Sequence, residues 1–268
     1  MATLNGKVAV ITGGAAGIGK GMALALAQEG ADVAICDIQP KVEGVAAEVS
    51  RATGRRVQSW ITDVREPGEV KRFIDGAAYQ FGGIDILINN AGIWRPTNPL
   101  EDPWEKAIAD WDLIVNTNLK GVFLVGRAAI PHIVARGGGH IINIATDHIT
   151  PPPGSATGGG TRMDVYDSSK WGVNGVTQSW SKFLKQHGVR VNALCMDATD
   201  SEMVRYASGH RATPEVIASW MTPAQIAALA LELIAEGPEG RTGENIGIWL
   251  RHPIELPERR EVFPSRHP

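Results

Sequence analysis

The 268-residue chain is short of the features that would mark several classes of function. It has two cysteines, Cys36 and Cys195, each inside an apolar run that reads as a strand. Buried thiols suit that placement better than a disulfide or a metal site. Its seven histidines show neither His-Glu-x-x-His spacing nor a Cys/His cluster, so no catalytic metal is expected. Neither sign of charge dominates: 26 Lys and Arg against 29 Asp and Glu leave a formal net charge of −3. That balance supplies no basic field for nucleic acid or an anionic membrane, and neither is expected as a partner. No apolar stretch approaches the ~20 residues of a membrane span. Val8-Ala9-Val10-Ile11 is too short for the apolar part of a signal peptide and runs straight into a glycine-rich turn. The expectation is a soluble cytoplasmic protein.

What is present is a regular alternation. Lys7–Ile11, Asp32–Cys36, Arg56–Ile61, Ile84–Asn89, His140–Ala145, Arg190–Cys195 and Asn245–Leu250 read as strands. Gly17–Gly30, Lys41–Thr53, Pro67–Phe81, Trp111–Ala135, Val165–His187 and Pro223–Glu236 carry helical periodicity between them. Strand and helix in alternation predict an α/β fold, a mostly parallel sheet of about seven strands with helices on both faces. No linker or repeat divides the chain, so residues 1–250 read as one domain. Pro151–Gly160 interrupts the pattern and predicts a long loop. Arg251–Pro268, with its prolines and charges, predicts an extended surface tail, either disordered or wrapped on a neighbouring subunit.

Thr12-Gly13-Gly14-Ala15-Ala16-Gly17-Ile18-Gly19 follows the first strand and opens the first helix. Glycines let the backbone approach a pyrophosphate, and a helix N-terminus offers free N–H groups to its charge. This context predicts a Rossmann-type, doubly wound dinucleotide site, although the spacing is GxxxGxG rather than GxGxxG. The second strand ends at Asp37, whose carboxylate can accept both adenosine ribose hydroxyls and would repel a 2′-phosphate. Ala15 and Ala16 occupy the turn and Lys20 lies beyond it, so NAD is expected over NADP.

Tyr166 and Lys170 stand at i and i+4 and share one helical face. A nearby cation would pull the phenol pKa down from ~10 and make Tyr166 a usable acid/base.

With these motifs the chain resembles the short-chain dehydrogenase/reductase family over most of its length. Thr12–Gly19 matches the cofactor turn, and Asp63-Val64 the pair that contacts adenine. Asn89-Asn90-Ala91-Gly92 matches the motif along the cofactor, and Asn116-Thr117-Asn118-Leu119-Lys120-Gly121 places the catalytic asparagine at Asn118. Tyr166-Asp167-Ser168-Ser169-Lys170 matches the YxxxK element. The resemblance implies hydride transfer at a nicotinamide ring, with Tyr166 exchanging the substrate proton. Lys170 would bind the nicotinamide ribose and lower the phenol pKa, and Asn118 would hold a water linking Lys170 to solvent. It also implies a dimer or tetramer packed through Trp111–Ala135 and Val165–His187.

The chain departs from the family pattern in three places. Thr146 stands where a serine usually orients the substrate oxygen; Ser155 is the rival, but a strand end positions a side chain better than a loop. Pro-Gly after the sixth strand is replaced by Met196-Asp197, with Ser201 on the position that would bond the nicotinamide carboxamide. Asp197 would put a carboxylate near the cationic oxidised ring or serve as a solvated loop residue. The segment before Tyr166 is long, and Gly158-Gly159-Gly160 would let it move as a lid.

Residues 147–164 and 197–222 are expected to form the substrate mouth, with His148 and Trp94 as candidate contacts. Of the eight tryptophans, Trp111, Trp171, Trp180 and Trp249 read most simply as core. An apolar or cyclic secondary alcohol or ketone is the expected substrate. The rivals are an epimerase or dehydratase using the same Tyr/Lys pair, an enoyl reductase, and a non-enzymatic NAD sensor or scaffold.

Overall fold

Short runs of Val, Ile and Leu with little polar alternation form strands buried on both faces. In the computed structural model, which describes residues 4–155 and 162–259, these are β1 (Val8–Thr12), β2 (Asp32–Asp37), β3 (Val57–Ile61), β4 (Ile86–Asn89), β5 (Gly139–Ile144), β6 (Val189–Met196) and β7 (Asn245–Ile248). They make one seven-stranded sheet in the order β3-β2-β1-β4-β5-β6-β7, and every pairing is parallel. The strand order reverses between β1 and β4, where Ala9 pairs with Ile86. A ligand crevice therefore opens beyond the carboxyl ends of these two strands.

The helices are α1 (Gly17–Gln28), α2 (Val42–Thr53), α3 (Pro67–Phe81), α4 (Trp104–Val115), α5 (Gly121–Ala135), α6 (Asp164–Leu184), α7 (Glu202–Ser208), α8 (Pro214–Ala218) and α9 (Pro223–Ala235). One core joins Met22 and Leu26 of α1, Val45 of α2 and Ile226 and Leu233 of α9 to Ile11 and Ile35 on one face of the sheet. A second joins Phe73 and Ile74 of α3 and Ile133 of α5 to Val10, Leu87 and Ile141 on the other. Helix ends follow local chemistry: α2 and α3 stop at left-handed Gly54 and Gly82, and Thr222 with Gln225 forms a capping box at α9.

Three expectations change. The helix expected from Trp111 begins at Trp104, and Asn116–Lys120 between α4 and α5 is a π-helical turn. The first turn of α4 faces solvent and is held by Lys106 ion pairs to Asp102 and Asp110 at 2.8 Å each, so no apolar period marks it. Residues 197–222 carry two short helices, α7 and α8, begun by the side-chain caps Ser201 and Thr213. Trp111 and Trp171, expected in the core, are 48% and 54% exposed. Helical phase is the reason: α6 turns Ser169, Lys170, Val173 and Thr177 inward, which leaves Trp171 on the outer face.

The rod Trp104–Ala135 could cross a membrane by length and composition alone. Val125, Ala129 and Ile133 on α5 instead pack into the second core. Of the expected tail, residues 251–259 run without regular structure along the same chain, where Pro257 O accepts Arg241 Nη1 at 2.9 Å and Glu239 O accepts Arg259 Nη2 at 2.6 Å. Residues 260–268 and the expected glycine hinge at 158–160 lie outside the described residues.

Candidate active site

The glycine turn leaves β1 through Gly13, whose φ of +67° favours glycine, and an added Cβ would lie 2.8 Å from Asn90 Nδ2. A Cβ on Gly19 would stand 2.1 Å from Gly13 O, so the turn packs on itself. Gly17, at φ +50°, opens α1 beside Ser201. The N-terminus of α1 has no side-chain cap and no acid in its first turn. Together with Ile18 it offers backbone N–H groups and the positive end of the helix dipole to an anion.

The neighbouring strand ends fix the walls. Asp37 accepts Ala15 N at 3.1 Å and Gln39 N at 3.0 Å, which holds its carboxylate at the rim. Thr12 Oγ1 accepts Asn90 N and Ala91 N at 3.1 and 3.0 Å, while Asn90 Nδ2 donates to Thr12 O and Gly13 O. Asp63 is gripped by Arg65, with Nη2 2.6 Å from Oδ2, and this hydrogen bond holds its pKa below the usual carboxylate range. Val64 is buried beside Gly121, which has no room for a side chain.

At the other end of the same cleft, β5 delivers Thr146, and α6 presents Tyr166 and Lys170 on one face. Lys170 is 5% exposed and donates to Ile144 O at 2.9 Å. Burial lowers its pKa to about 8. The Tyr166 pKa moves opposite to expectation. Burial raises it above 10.0, the carboxylates of Asp167 and Asp147 push it further, and the Thr146 hydroxyl only partly opposes them. Lys170 Nζ lies 5.7 Å from the phenol ring centroid and bonds a backbone carbonyl instead, so the pair is adjacent without a direct bond.

Asn118 lies fully buried in the π-helical turn. Its side chain accepts Ile93 N at 2.8 Å and donates to Ile93 O at 2.9 Å and Ser169 Oγ at 3.1 Å. It therefore fastens the segment after β4 to α6. Both donor hydrogens are engaged, which leaves the second lone pair of Oδ1 and the backbone as places for the expected water.

Thr146 Oγ1 donates to Asp147 Oδ1 at 3.2 Å and faces the cleft, whereas the rival Ser155 is exposed and does not line it. Ser201 Oγ accepts Val204 N at 3.3 Å and can still donate its own hydrogen. Asp197 accepts Ala198 N at 2.6 Å and Leu250 N at 3.2 Å, which ties the exit of β6 to that of β7. It is thus a bonded wall residue rather than a solvated loop one. Trp94 and His148 both line the cleft; Trp94 meets Tyr206 of α7 edge-on at 6.4 Å, and its Nε1 is buried without a partner among the described residues.

The cleft holds about 810 Å³. A depression of about 1060 Å³ on the outer side of α6 is wider, but it is open and assembles no acid–base group with the strand ends. Among the described residues, no group of His, Cys, Asp and Glu is arranged to hold a metal ion. Cys36 and Cys195 are free and buried, and burial pushes both thiols up in pKa. The sequence reading missed Asp167 and Tyr206; both lie on helices whose facing partners come from remote segments, and no local spacing marks them.

Residues 7–212 match the family model described as short chain dehydrogenase. The chain is 42% identical over 193 residues to the 2-dehydro-3-deoxy-D-gluconate 5-dehydrogenase of Escherichia coli (strain K12), covering 72% of this chain and 71% of that one. It is 32% identical over 251 residues to the 3-oxoacyl-(acyl-carrier-protein) reductase FabG of Thermotoga maritima, covering 91% and 97%. Among solved structures, the carveol dehydrogenase of Mycobacterium avium in complex with NAD superposes with a TM-score of 0.81 at 25% identity, covering 93% of this chain and 98% of that one. By sequence and by fold, the chain belongs to the short-chain dehydrogenase family and is an oxidoreductase.

Proposed function

We propose that the protein is an NAD-dependent dehydrogenase that interconverts a secondary alcohol and a ketone on an apolar or cyclic small molecule. The observation that carries this reading is one cleft with two matched ends. An uncapped helix N-terminus on a glycine turn stands at one end, and Tyr166, Thr146 and buried Lys170 stand at the other. The glycine turn fits a dinucleotide because its backbone is bare where a Cβ would clash. Gly13, Gly17, Ile18 and Gly19 would hold the pyrophosphate, Asp37 the adenosine ribose, and Asp63 and Val64 the adenine. Asn90, Ala91 and Gly92 would line its path, with Lys170 on the nicotinamide ribose and Ser201 on the carboxamide. When bound, the cofactor supplies or accepts the hydride.

The chain's own residues handle the proton. Thr146 would fix the substrate oxygen beside the phenol, and Tyr166 would give or take its proton. The neutral phenol, favoured by burial, is the form that protonates a carbonyl oxygen. Its phenolate, needed to take a proton from an alcohol, is favoured by positive charge, and Lys170 lies closest to that role. Asn118 would hold the Lys170 neighbourhood in register and seat a water. Trp94 and His148 would meet the rest of the substrate, and the paired Trp94 and Tyr206 rings favour an apolar or cyclic body.

Purified protein given NAD⁺ or NADP⁺ and a panel of secondary alcohols tests the reading at the NADH absorbance band. Turnover with NAD⁺ preferred is expected. Tight NAD binding with no turnover on any substrate would favour a sensor instead, and preference for NADP⁺ would overturn the role of Asp37. A dimer or tetramer is part of the same proposal: Ile108 and Trp111 of α4, Phe123 of α5, and Trp171 and Phe183 of α6 present apolar surface outward. A solution mass measurement checks it.

A further inference from the structure

Exchangeable groups continue past the Tyr166–Thr146 pair towards the cleft mouth. After β5 the chain makes a short 3-10 turn through Asp147–Ile149, capped by Thr146. That turn sets the His148 ring edge-on to Tyr166, with 6.1 Å between centroids. His148 Nδ1 lies 2.6 Å from Asp167 Oδ1 on α6. A carboxylate acceptor there assigns the hydrogen to Nδ1 and leaves Nε2 to exchange protons. Nε2 is 4.0 Å from Asp147 Oδ1, the same oxygen that accepts the Thr146 hydroxyl at 3.2 Å. Thr146 in turn lines the cleft with Tyr166, and its hydroxyl stands close enough to the phenol to oppose the rise in the Tyr166 pKa. The His148, Asp147 and Asp167 side chains keep 19%, 21% and 24% exposure, so the outer end of this file is wet. One water, or a small turn of the ring, closes the 4.0 Å step.

We propose that Asp147 and His148 carry protons between the Tyr166–Thr146 pair and solvent, as a route separate from Lys170, with Asp167 positioning the His148 ring. The inference rests on the alcohol/ketone reading above. In the oxidative direction the Tyr166 phenolate takes the alcohol proton, and the hydride leaves with the cofactor. The phenol proton passes to Thr146 Oγ1 as the Thr146 proton passes to Asp147 Oδ1. Asp147 gives its proton to His148 Nε2, and the imidazolium releases it to water. One proton enters and one leaves, and no electrons move along the route. Ketone reduction runs the same steps backwards.

The surrounding charges suit this route. His148 faces Asp147 on its own turn, Asp167 and Tyr166 on α6, and Asp197 after β6, while Lys170 lies behind Tyr166. Burial disfavours the imidazolium, but the hydrogen bond to Asp167 and the charges of Asp167, Asp147 and Asp197 outweigh it. The His148 pKa is therefore held above 6.5. Burial and Asp197 raise the Asp147 pKa from 3.8. A raised acid takes up a transferred proton more readily, and the neighbouring imidazole can then exchange that proton with water.

His148→Gln keeps a polar side chain of similar reach but cannot carry a proton. With NAD⁺ and a secondary alcohol, kcat of the unmodified protein should rise with pH through the His148 titration. His148→Gln should lose that limb and about ten-fold or more in kcat near neutral pH, with KM changed less than kcat. Added imidazole should restore part of the rate. An unchanged kcat and pH profile would overturn the relay and leave the alcohol/ketone reading intact. A pH-independent loss without imidazole rescue would also overturn it and assign His148 a structural role. Should no alcohol turn over, the reading itself fails, and NMR titration of His148 decides the pair: a pKa that does not fall in Asp167→Asn overturns the proposal.

Discussion

At the end of the cleft proposed for the cofactor, Asp37 and Asn90 are bonded to backbone groups of the adjoining turns, and Gly13 and Gly19 leave no room for side chains. At the substrate end the geometry rests on side chains from separate segments. Thr146, Asp147 and His148 follow β5, Tyr166 and Asp167 lie on α6, Asp197 follows β6, and Tyr206 rides on α7. Backbone-built sites tolerate little change and serve one ligand, whereas side-chain-built sites can be altered residue by residue. The comparison also separates two kinds of electrostatics. The cofactor end offers an uncapped helix N-terminus to an anion, while the substrate end gathers Asp147, Asp167 and Asp197 around one histidine.

Lys170, buried at the junction of the two ends, should give the largest effect. Lys170→Met should cost about a thousand-fold in kcat. It should also stabilise the cofactor-free protein by about 1–3 kcal/mol at neutral pH, because a costly buried ammonium is removed. The sign follows from linkage. The native pKa of about 8 lies below the ordinary 10.5, so the unfolded chain binds more protons between these values. Lys170 therefore makes stability rise with pH across that window, and Lys170→Met should flatten the rise in denaturant titrations. A destabilised variant would mean that Lys170 holds the site together rather than straining it.

Thr146→Ala should lower kcat by about a hundred-fold or more, while Thr146→Ser stays within a few-fold. Ser155→Ala should change nothing, and the reverse pattern would move the substrate-orienting hydroxyl into the loop. At the cofactor end, Asp37→Ser should weaken NAD binding by about ten-fold and narrow the preference over NADP, read by fluorescence titration. An unchanged preference would detach Asp37 from the ribose. The smallest effect is expected from Asp197→Asn, at about 1 kcal/mol of unfolding stability, because one of two backbone N–H groups keeps an acceptor. The ratio of NAD⁺ to NADH affinities, measured on the same variant, tests whether this carboxylate also favours the oxidised ring.

Much of the fold was legible because doubly buried strands must be runs of Val, Ile and Leu, and Gly54, Gly82 and Thr222 mark helix ends locally. The start of α4 was not, because its first turn is stabilised by ion pairs rather than by burial. Trp111 and Trp171 misled because tryptophan was read by type and not by helical phase. The glycine turn marks the proposed cofactor end within eight consecutive residues, Thr12–Gly19, but no such local run marks the proposed substrate end. There His148 and Asp167 are 19 residues apart and meet only through tertiary packing. The direction of the Tyr166 pKa was also out of reach. It depends on burial and on Asp147 and Asp167, while Lys170 is turned to Ile144 O.

Tyr166→Phe, followed with NAD⁺ and an alcohol that the unmodified protein oxidises, tests the central claim most directly. The account predicts NAD binding unchanged and NADH formation reduced by about a thousand-fold or more across the pH range. NADH formation at the rate of the unmodified protein would contradict it, because the substrate proton would then pass through some other group.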